Sequence, residues 1–548
     1  MEWIDFRQLP PAAGGFSQLF FDFLHNFEEV RGFYSHNFRS NQSFDVMMQS
    51  LDRRALDRST LAAVLTEENR SFGSSSKTFD NIALLEKPGT YAVVTGQQVG
   101  LFGGPLYTVF KTLTAIKLVA KLSALFPENR FVPVFWVEGE DHDFAEMNHV
   151  TVLDGANTPV KIEYLPGGTV PERNLGPIGE LVFDASLDQT MEQLSAALPK
   201  SEFTEKLVAR LKGCYSPGRS FLLGFTSWMN YLFEEHGLVF ISSNHPRLKG
   251  LLSPLFLREI TEFPKSSQLV IEQSAELEKN YHAQIKAKSL NLFMFHKGGR
   301  YLIEPRETDF SLKGTRHFLQ KDDLLRMAQE NPASLSPNVV LRPIAQDTLL
   351  PTVAYVAGPS EIAYYAQLKP VYEYFGVPQP VIYPRASASF VEGGVQRAME
   401  KYGLSLEAFF EDADSITRAV LAQIAEVNLD ELFGTSQTGV RDVLNELKFG
   451  LQEIDPTLLG TLEATTLKIE GSLQILREKT MAAQKRRNEV AVRQIEKAAN
   501  GMLPGDSLQE RVVNVVHYLN KYGPDLIRRL YDEVDINTFK HQMITLTP

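Results

Sequence analysis

The stretch TYAVVTGQQVGLFGGPLYTVFKTLTAIKLVAKLSALF, residues 90–126, decides the fold. Val93 and Val94 sit in a short apolar run that suits a strand buried on both faces. Gly96, Gly100, Gly103 and Gly104 then break the chain into a turn. Pro105 fits the first position of a helix, where its missing N–H is no loss. A long apolar helix runs from there to Phe126. FVPVFWVEGEDHDF, residues 131–144, is a second apolar run that ends in acids. Strand, helix and strand within about 50 residues form a βαβ unit, so the sheet is parallel there.

Further α/β segments lie downstream. TVAYVAGPSEIAYYAQLKPVYEYFG (352–376) reads strand, turn, helix, and PVIYPRASASF (380–390) reads strand and loop. Residues 150–340 mix short strands at 160–164, 238–242 and 301–304 with helices such as 220–236. That span is too long for a simple crossover and implies core elements plus an insertion. Upstream, Phe16, Leu19, Phe20, Phe23, Leu24 and Phe27 recur at helical spacing, as do Leu61, Ala62, Val64 and Leu65. SFGSSSK (71–77) reads as a loop.

After Val391 no further strand is expected. From about Glu407 to Asn500 the pattern is helical. Val440, Leu444, Leu447, Leu451 and Ile454 form one heptad seam; Ile469, Leu473, Leu476, Thr480 and Ala483 form another. Asp455-Pro456 marks a break between them. A hairpin closing on itself and a coiled coil between two chains fit these seams equally. Ser507 and Glu510 have capping-box spacing ahead of a last helix pair, broken at Gly523-Pro524.

A chain of 548 residues predicts three or four domains. Fifty-five basic against 67 acidic side chains give a net charge of −12. Without a basic tract, that argues against a dedicated nucleic-acid binder. Cys214 is the single cysteine, which fits a reducing compartment. No signal peptide or membrane helix is apparent, so the expected location is the cytoplasm.

Four constellations could carry chemistry. In the glycine turn, backbone N–H groups at a helix start attract anions. Gln97, Gln98, Thr108 and Lys111 add donors, so with Gly103 and Gly104 they form a candidate nucleotide or anion site. The turn has neither GxxxxGK[ST] nor GxGxxG, and tight packing would also explain its glycines. The acidic strand end, Glu138 to Asp143, lies where open α/β sheets bind ligands. Asp141, His142 and Asp143 are candidate catalytic residues there, and Glu140 a substrate ligand. Neighbouring carboxylates should raise the His142 pKa; a solvated acidic loop is the alternative. In AGPSEIAYYAQL (357–368), Ser360 suits an N-cap and Glu361 the positive helix end. With Tyr364 they are candidate substrate ligands. Arg385 and Ser387 in YPRASASF (383–390) could meet a carboxylate or phosphate. A metal at the acidic strand end is conceivable, but ligands usually come from a better-spread set, so no metal ligands are assigned and the metal requirement stays open.

At four motifs the chain resembles the bacillithiol-synthesis cysteine-adding enzyme family. They are TGQQVGLFGGPLYTVFKTLTAIKLV, FWVEGEDHDFAEMNHV, LRPIAQDTLLPTVAYVAGPSEIAYYAQL and LQERVVNVVHYLNKYG. The resemblance spans the whole length. It implies a ligase joining cysteine to glucosaminyl-malate through an amide, with ATP or another nucleotide activating the carboxylate. It also implies an α/β, Rossmann-like core similar to class I synthetases and nucleotidyltransferases, with insertions and a helical coiled-coil domain that makes a homodimer.

On that reading residues 1–88 are a helical segment packing on the core, and 89–170 the first half of the core. Residues 171–335 are the connecting insertion, and 336–400 the second half. Residues 401–502 are the coiled-coil arm, and 503–548 are helices returning to the core. The class I HxGH and KMSKS signatures are absent; GLFGGPLYT and PRASAS hold the corresponding places. Adenylate and aminoacyl-phosphate routes both stay open. So do a nucleotidyltransferase acting on another small molecule and a non-catalytic nucleotide-binding scaffold.

Overall fold

The computed structural model describes residues 2–11, 15–170, 174–287 and 290–547. Its centre is the βαβ unit. Strand β1 (Thr90–Gln98) leads through the glycine turn to helix α1 (Tyr107–Leu125) and on to β2 (Arg130–Glu138). The two strands pair in parallel along their full length, from Thr90 opposite Arg130 to Gln98 opposite Glu138. Their apolar residues are buried on both faces, which explains the unbroken Val, Phe and Trp runs.

Strand β3 (Val239–Ser242) adds beyond β2, and β4 (Thr352–Ala357) adds on the other side of β1. Strand β5 (Val381–Pro384) closes the sheet. The order is β5-β4-β1-β2-β3, all parallel. This is a Rossmann-like sheet, with its reversal of strand order between β1 and β4.

The first helix begins two residues later than expected. Pro105 forms a bridge with Asn514, and Tyr107 opens α1. Asn514 Nδ2 donates to the carbonyls of Phe102 (3.1 Å) and Gly104 (2.5 Å). A distant segment thus satisfies carbonyl groups of the turn, which no local pattern signals.

The insertion carries a five-stranded antiparallel sheet. Three of its strands, Leu292–His296, Gly299–Pro305 and Leu335–Pro337, face the Rossmann-like core with Phe293, Arg300 and Pro337. Helix α2 (Pro359–Tyr365) follows β4 directly.

Strands do not stop at Val391. Strand β6 (Ser387–Glu392) pairs in parallel with β7 (His541–Leu546), and β7 pairs antiparallel with Glu2–Ile4. Three short segments from distant parts of the chain make this sheet, and its pairing leaves no local signature.

Helices α3 (Leu429–Ile454) and α4 (Leu458–Arg487) form an antiparallel hairpin across the Asp455-Pro456 break. Arg441–Glu470 (2.9 Å) and Arg477–Asp430 (2.5 Å) bridge its two helices. The seam closes only in part. Leu444 is buried, whereas Leu447, Ile454 and Leu476 are 51%, 80% and 54% exposed. Helix α5 (Glu489–Met502) then packs Ile495, Ala498 and Met502 into the core. No described helix is long and apolar enough to cross a membrane.

Candidate active site

A cavity of about 700 Å³ opens at the carboxyl ends of β1, β2 and β4. This is where strand order reverses, the usual ligand crevice of an open α/β sheet. Four carboxylates and six cationic side chains line it. The pairing among them decides what chemistry remains for a ligand.

At the end of β1, Gln98 Nε2 donates to Asp141 Oδ2 (3.0 Å) and to Glu146 Oε2 (2.9 Å). Gln97 Oε1 accepts from Lys111 Nζ (3.2 Å), which also donates to the Gly96 carbonyl (2.8 Å). Lys111 is buried and ion-paired to Glu361 Oε2 at 2.6 Å. Burial pulls its pKa down, against the Glu361 charge. Its ammonium therefore serves Glu361 rather than a free anion.

Gly103, Gly104 and Thr108 do not line the cavity. The N–H groups of Gly103 and Gly104 bond back to Gly100 and Leu101 inside the turn. Gly103 has φ +92, and a Cβ there would stand 3.1 Å from Trp228 Cδ1. The glycines thus let the turn pack on a buried tryptophan.

At the end of β2 the acids separate by role. Glu140, expected to hold substrate, is fully buried and paired with Lys249, and its Oε2 accepts from Ser336 Oγ (2.8 Å). Asp143 turns away and accepts from the Glu146 N–H (3.3 Å), capping the short helix Phe144–Met147. Asp141 and His142 do face the cavity. Burial raises the Asp141 pKa, but Gln98, Arg300 and backbone N–H groups outweigh it and the net shift is downward.

The His142 pKa also falls, contrary to the sequence expectation. Burial and the Arg300 charge outweigh Asp141 and Asp143. The opposing arginine lies 158 positions away, so a local reading sees only the acids.

On the β4 side, Gly358 caps α2, and Ser360 is exposed at the second position of that helix without a capping bond. Glu361 accepts from the Gly358 N–H and from Tyr355 OH, both at 2.7 Å. Tyr364 OH accepts from Arg342 Nη2 (3.1 Å), and burial pushes the phenol up to about 12. Arg385 lines the cavity while paired to buried Glu510 at 2.6 Å. Ser387 lies behind it, donating to Glu510 Oε2 (2.9 Å) and bonded to His541 Nδ1 (2.8 Å). Glu510 is thus a buried counterion, and no Ser507 capping bond forms: the helix there is Gln509–Val512 with Leu508 at its cap position.

Sequence reasoning counted Glu138 in the acidic strand end but gave it no role, and it missed Arg300, Arg342 and Arg511. Glu138 accepts from Trp136 Nε1 (3.1 Å), and burial, aided by Glu140, raises its pKa. Arg342 donates to Gln346 Oε1 (3.2 Å) and Tyr364. Arg511 keeps a buried Nε with no hydrogen-bond partner. Among the described residues neither Arg342 nor Arg511 has a carboxylate within ion-pair distance, nor is any group of three or more His, Cys, Asp or Glu placed to hold a metal ion. The signal available was charged residues inside apolar runs, LRPIA and QERVVNVV.

Comparison with known proteins fits this geometry. Residues 4–386 match the family described as bacillithiol biosynthesis BshC, N-terminal Rossmann-like domain; residues 388–546 match its C-terminal coiled-coil domain. A relative from Salinibacter ruber, named "Putative cysteine ligase BshC", is 39% identical, with 98% of each chain covered. One of the same name from Chloroherpeton thalassium is 36% identical over 99% of each chain. Among solved structures, a "putative arginyl t-RNA synthetase" from Campylobacter jejuni covers 85% of this chain and 98% of its own at 11% identity. Its TM-score of 0.20 carries no argument. The matches span both parts of the molecule end to end, and the chain belongs to the BshC family of bacillithiol biosynthesis.

Proposed function

We propose that the chain is a cysteine ligase that forms an amide between cysteine and the amine of glucosaminyl-malate. One observation carries this reading: a single cavity at the strand-order reversal holds both unpaired guanidinium groups and a carboxylate of raised pKa. Arg342 and Arg511 offer donors to carboxylates or phosphates of the reactants. Glu138, whose pKa burial raises, can take the proton that the attacking amine must lose. Asp141, held ionised, suits an ammonium group.

Joining a carboxylate to an amine is uphill in water, so the carboxylate needs activation by ATP or another nucleotide. The residues fit an anionic group of that kind. The buried Arg511 Nε lacks a partner, and Arg342 adds a second free charge. The N–H groups of Gly100, Gly103 and Gly104 offer none, because they bond to carbonyls next to them in the chain. Two chains associate through the apolar side of the arm left uncovered by the hairpin, around Leu447, Ile454 and Leu476.

Purified protein incubated with cysteine, glucosaminyl-malate and ATP tests the reading by mass spectrometry. The expected product is heavier than glucosaminyl-malate by one cysteine residue. Absence of that product with ATP and with the other nucleoside triphosphates would overturn it.

A further inference from the structure

His142 stands at the cavity wall between two groups that make opposite demands on its Nδ1. Arg300 Nη1 lies 3.2 Å away and can only donate, so it needs a lone pair there. Asp141 Oδ1 lies 3.6 Å away and would need a proton there. The second distance is too long for a hydrogen bond, and that oxygen already accepts from the His142 backbone N–H at 2.7 Å.

Arg300 cannot swing aside. It is 6% exposed and lies over the Phe293 ring at 3.9 Å. Nη2 donates to the Pro337 carbonyl (3.0 Å) and Nε to Ser336 Oγ (3.0 Å). Ser336 must then spend its own proton elsewhere, and it does, on Glu140 Oε2. Buried Lys249 holds the other Glu140 oxygen. Every direction in this chain of bonds is fixed by chemistry, since lysine and arginine only donate and the ionised carboxylate only accepts.

We propose that this chain locks His142 as the neutral imidazole with its proton on Nε2, and that His142 acts by donating that hydrogen bond to an oxygen of the reacting group, not by accepting a proton. The proposal rests on the acyl-transfer reading above and assigns His142 a role within it. No described residue partners Nε2. In the step concerned, the amine lone pair forms the C–N bond and the carbonyl π pair moves onto oxygen. That pair returns as the bond to the leaving group breaks, and the amine proton passes to a cavity carboxylate. His142 bonds the transient oxyanion and exchanges no proton. A fixed donor aimed at developing charge is worth about 10²–10³-fold in rate. Arg300 and Ser336 are positioning residues.

Two measurements test this. The first needs no turnover: nitrogen-15 spectra of full-length histidine-labelled protein, with the His142 signals assigned by their loss in His142→Gln. At neutral pH we expect Nε2 protonated and Nδ1 bare, and in Arg300→Met a shift to protonated Nδ1, drawn by Asp141. A protonated Nδ1 in the unaltered protein, or an unchanged tautomer in Arg300→Met, overturns the lock. The second compares kcat for His142→Gln and His142→Ala, with circular dichroism on both. Glutamine places an N–H near the Nε2 position but cannot act as a base. Retention of activity within about tenfold by Gln, against a loss of about 10²–10³-fold in Ala, is expected. Equal losses overturn the donor role. If unaltered protein makes no product, the ligase reading fails while the tautomer still stands or falls on the spectra.

Discussion

Replacing Glu510 with glutamine isolates the buried charge pair at the cavity wall. Glu510 is 0% and Arg385 5% exposed at the side chain, with Nη2 and Oε1 2.6 Å apart. The carboxylate also accepts from Ser387 Oγ (2.9 Å) and the Ala388 N–H (3.2 Å). Glu510→Gln keeps the shape and one acceptor oxygen but leaves the Arg385 charge without a counter-charge, its Nη1 still bonded to the Ala386 carbonyl at 3.0 Å. Breaking a pair this buried costs about 3–5 kcal/mol.

The sign of the pH dependence is also determined. Burial raises the Glu510 pKa, but the Arg385 charge and hydrogen bonds outweigh it, so the folded value lies below the unfolded one. The stability it contributes is complete above the unfolded value, about 4.3, and drains as pH falls through the folded value. Glu510→Gln should lower the denaturant midpoint at pH 7 and flatten the acid side of the stability profile, read by the fluorescence of Trp136 and Trp228. Replacing both partners with leucine and methionine should recover most of the loss, since neither charge is then stranded. A change below about 0.5 kcal/mol in Glu510→Gln would refute the reasoning. It would mean that the pair's attraction does no more than cancel its desolvation.

Three further outcomes are expected. Leu447→Asp with Leu476→Asp places charge on apolar surface more than half exposed in one chain, so light scattering should show monomer with an unchanged helical spectrum; an unchanged dimer mass would place association elsewhere. Gly103→Ala, at φ +92 and against Trp228, should destabilise by about 1–3 kcal/mol in thermal melts while leaving nucleotide affinity as it was; lost affinity in a stable protein would restore the turn as a ligand site. Arg342→Met removes a charged donor worth about 1.5–3 kcal/mol, so KM or Kd for an anionic reactant should rise about 10–100-fold at pH 7, and a change of less than twofold would take Arg342 out of binding.

The parallel sheet was legible because β1 and β2 are buried on both faces and carry unbroken apolar runs. The place of the site followed from the same pattern, since ligands gather where such strands end. What each polar residue does there was not legible. Glu140 and Asp141 are neighbours in the chain, yet one is sealed against Lys249 and the other lines the cavity. Both lie in the loop just past β2, where no periodicity applies and only the partner beyond decides which side chain is sealed and which is wet. Lys249, Arg300 and Glu510 each come from more than 100 positions away from the charged partner they face, Glu140, Asp141 and Arg385. Spacing rules read neighbours three or four residues apart and are silent on such pairs. The late strand β7 escaped for a related reason: its six residues gain their place only from Ser387–Glu392 and Glu2–Ile4.

That strand sets an order of events during synthesis. His541–Leu546 is the central member of its three-stranded sheet, and Glu2–Ile4 has no partner there until it arrives. His541 also bonds Ser387 and Ser389 through its two ring nitrogens, behind the Glu510–Arg385 pair at the cavity wall. A ribosome that has made the whole Rossmann-like sheet has therefore not yet made the brace behind its cavity. A chain cut short anywhere in the arm would carry β1 to β5 in full and lack Glu510, Arg511 and His541 alike. Incomplete products would so carry the sheet without the buried pair and the brace that back its cavity.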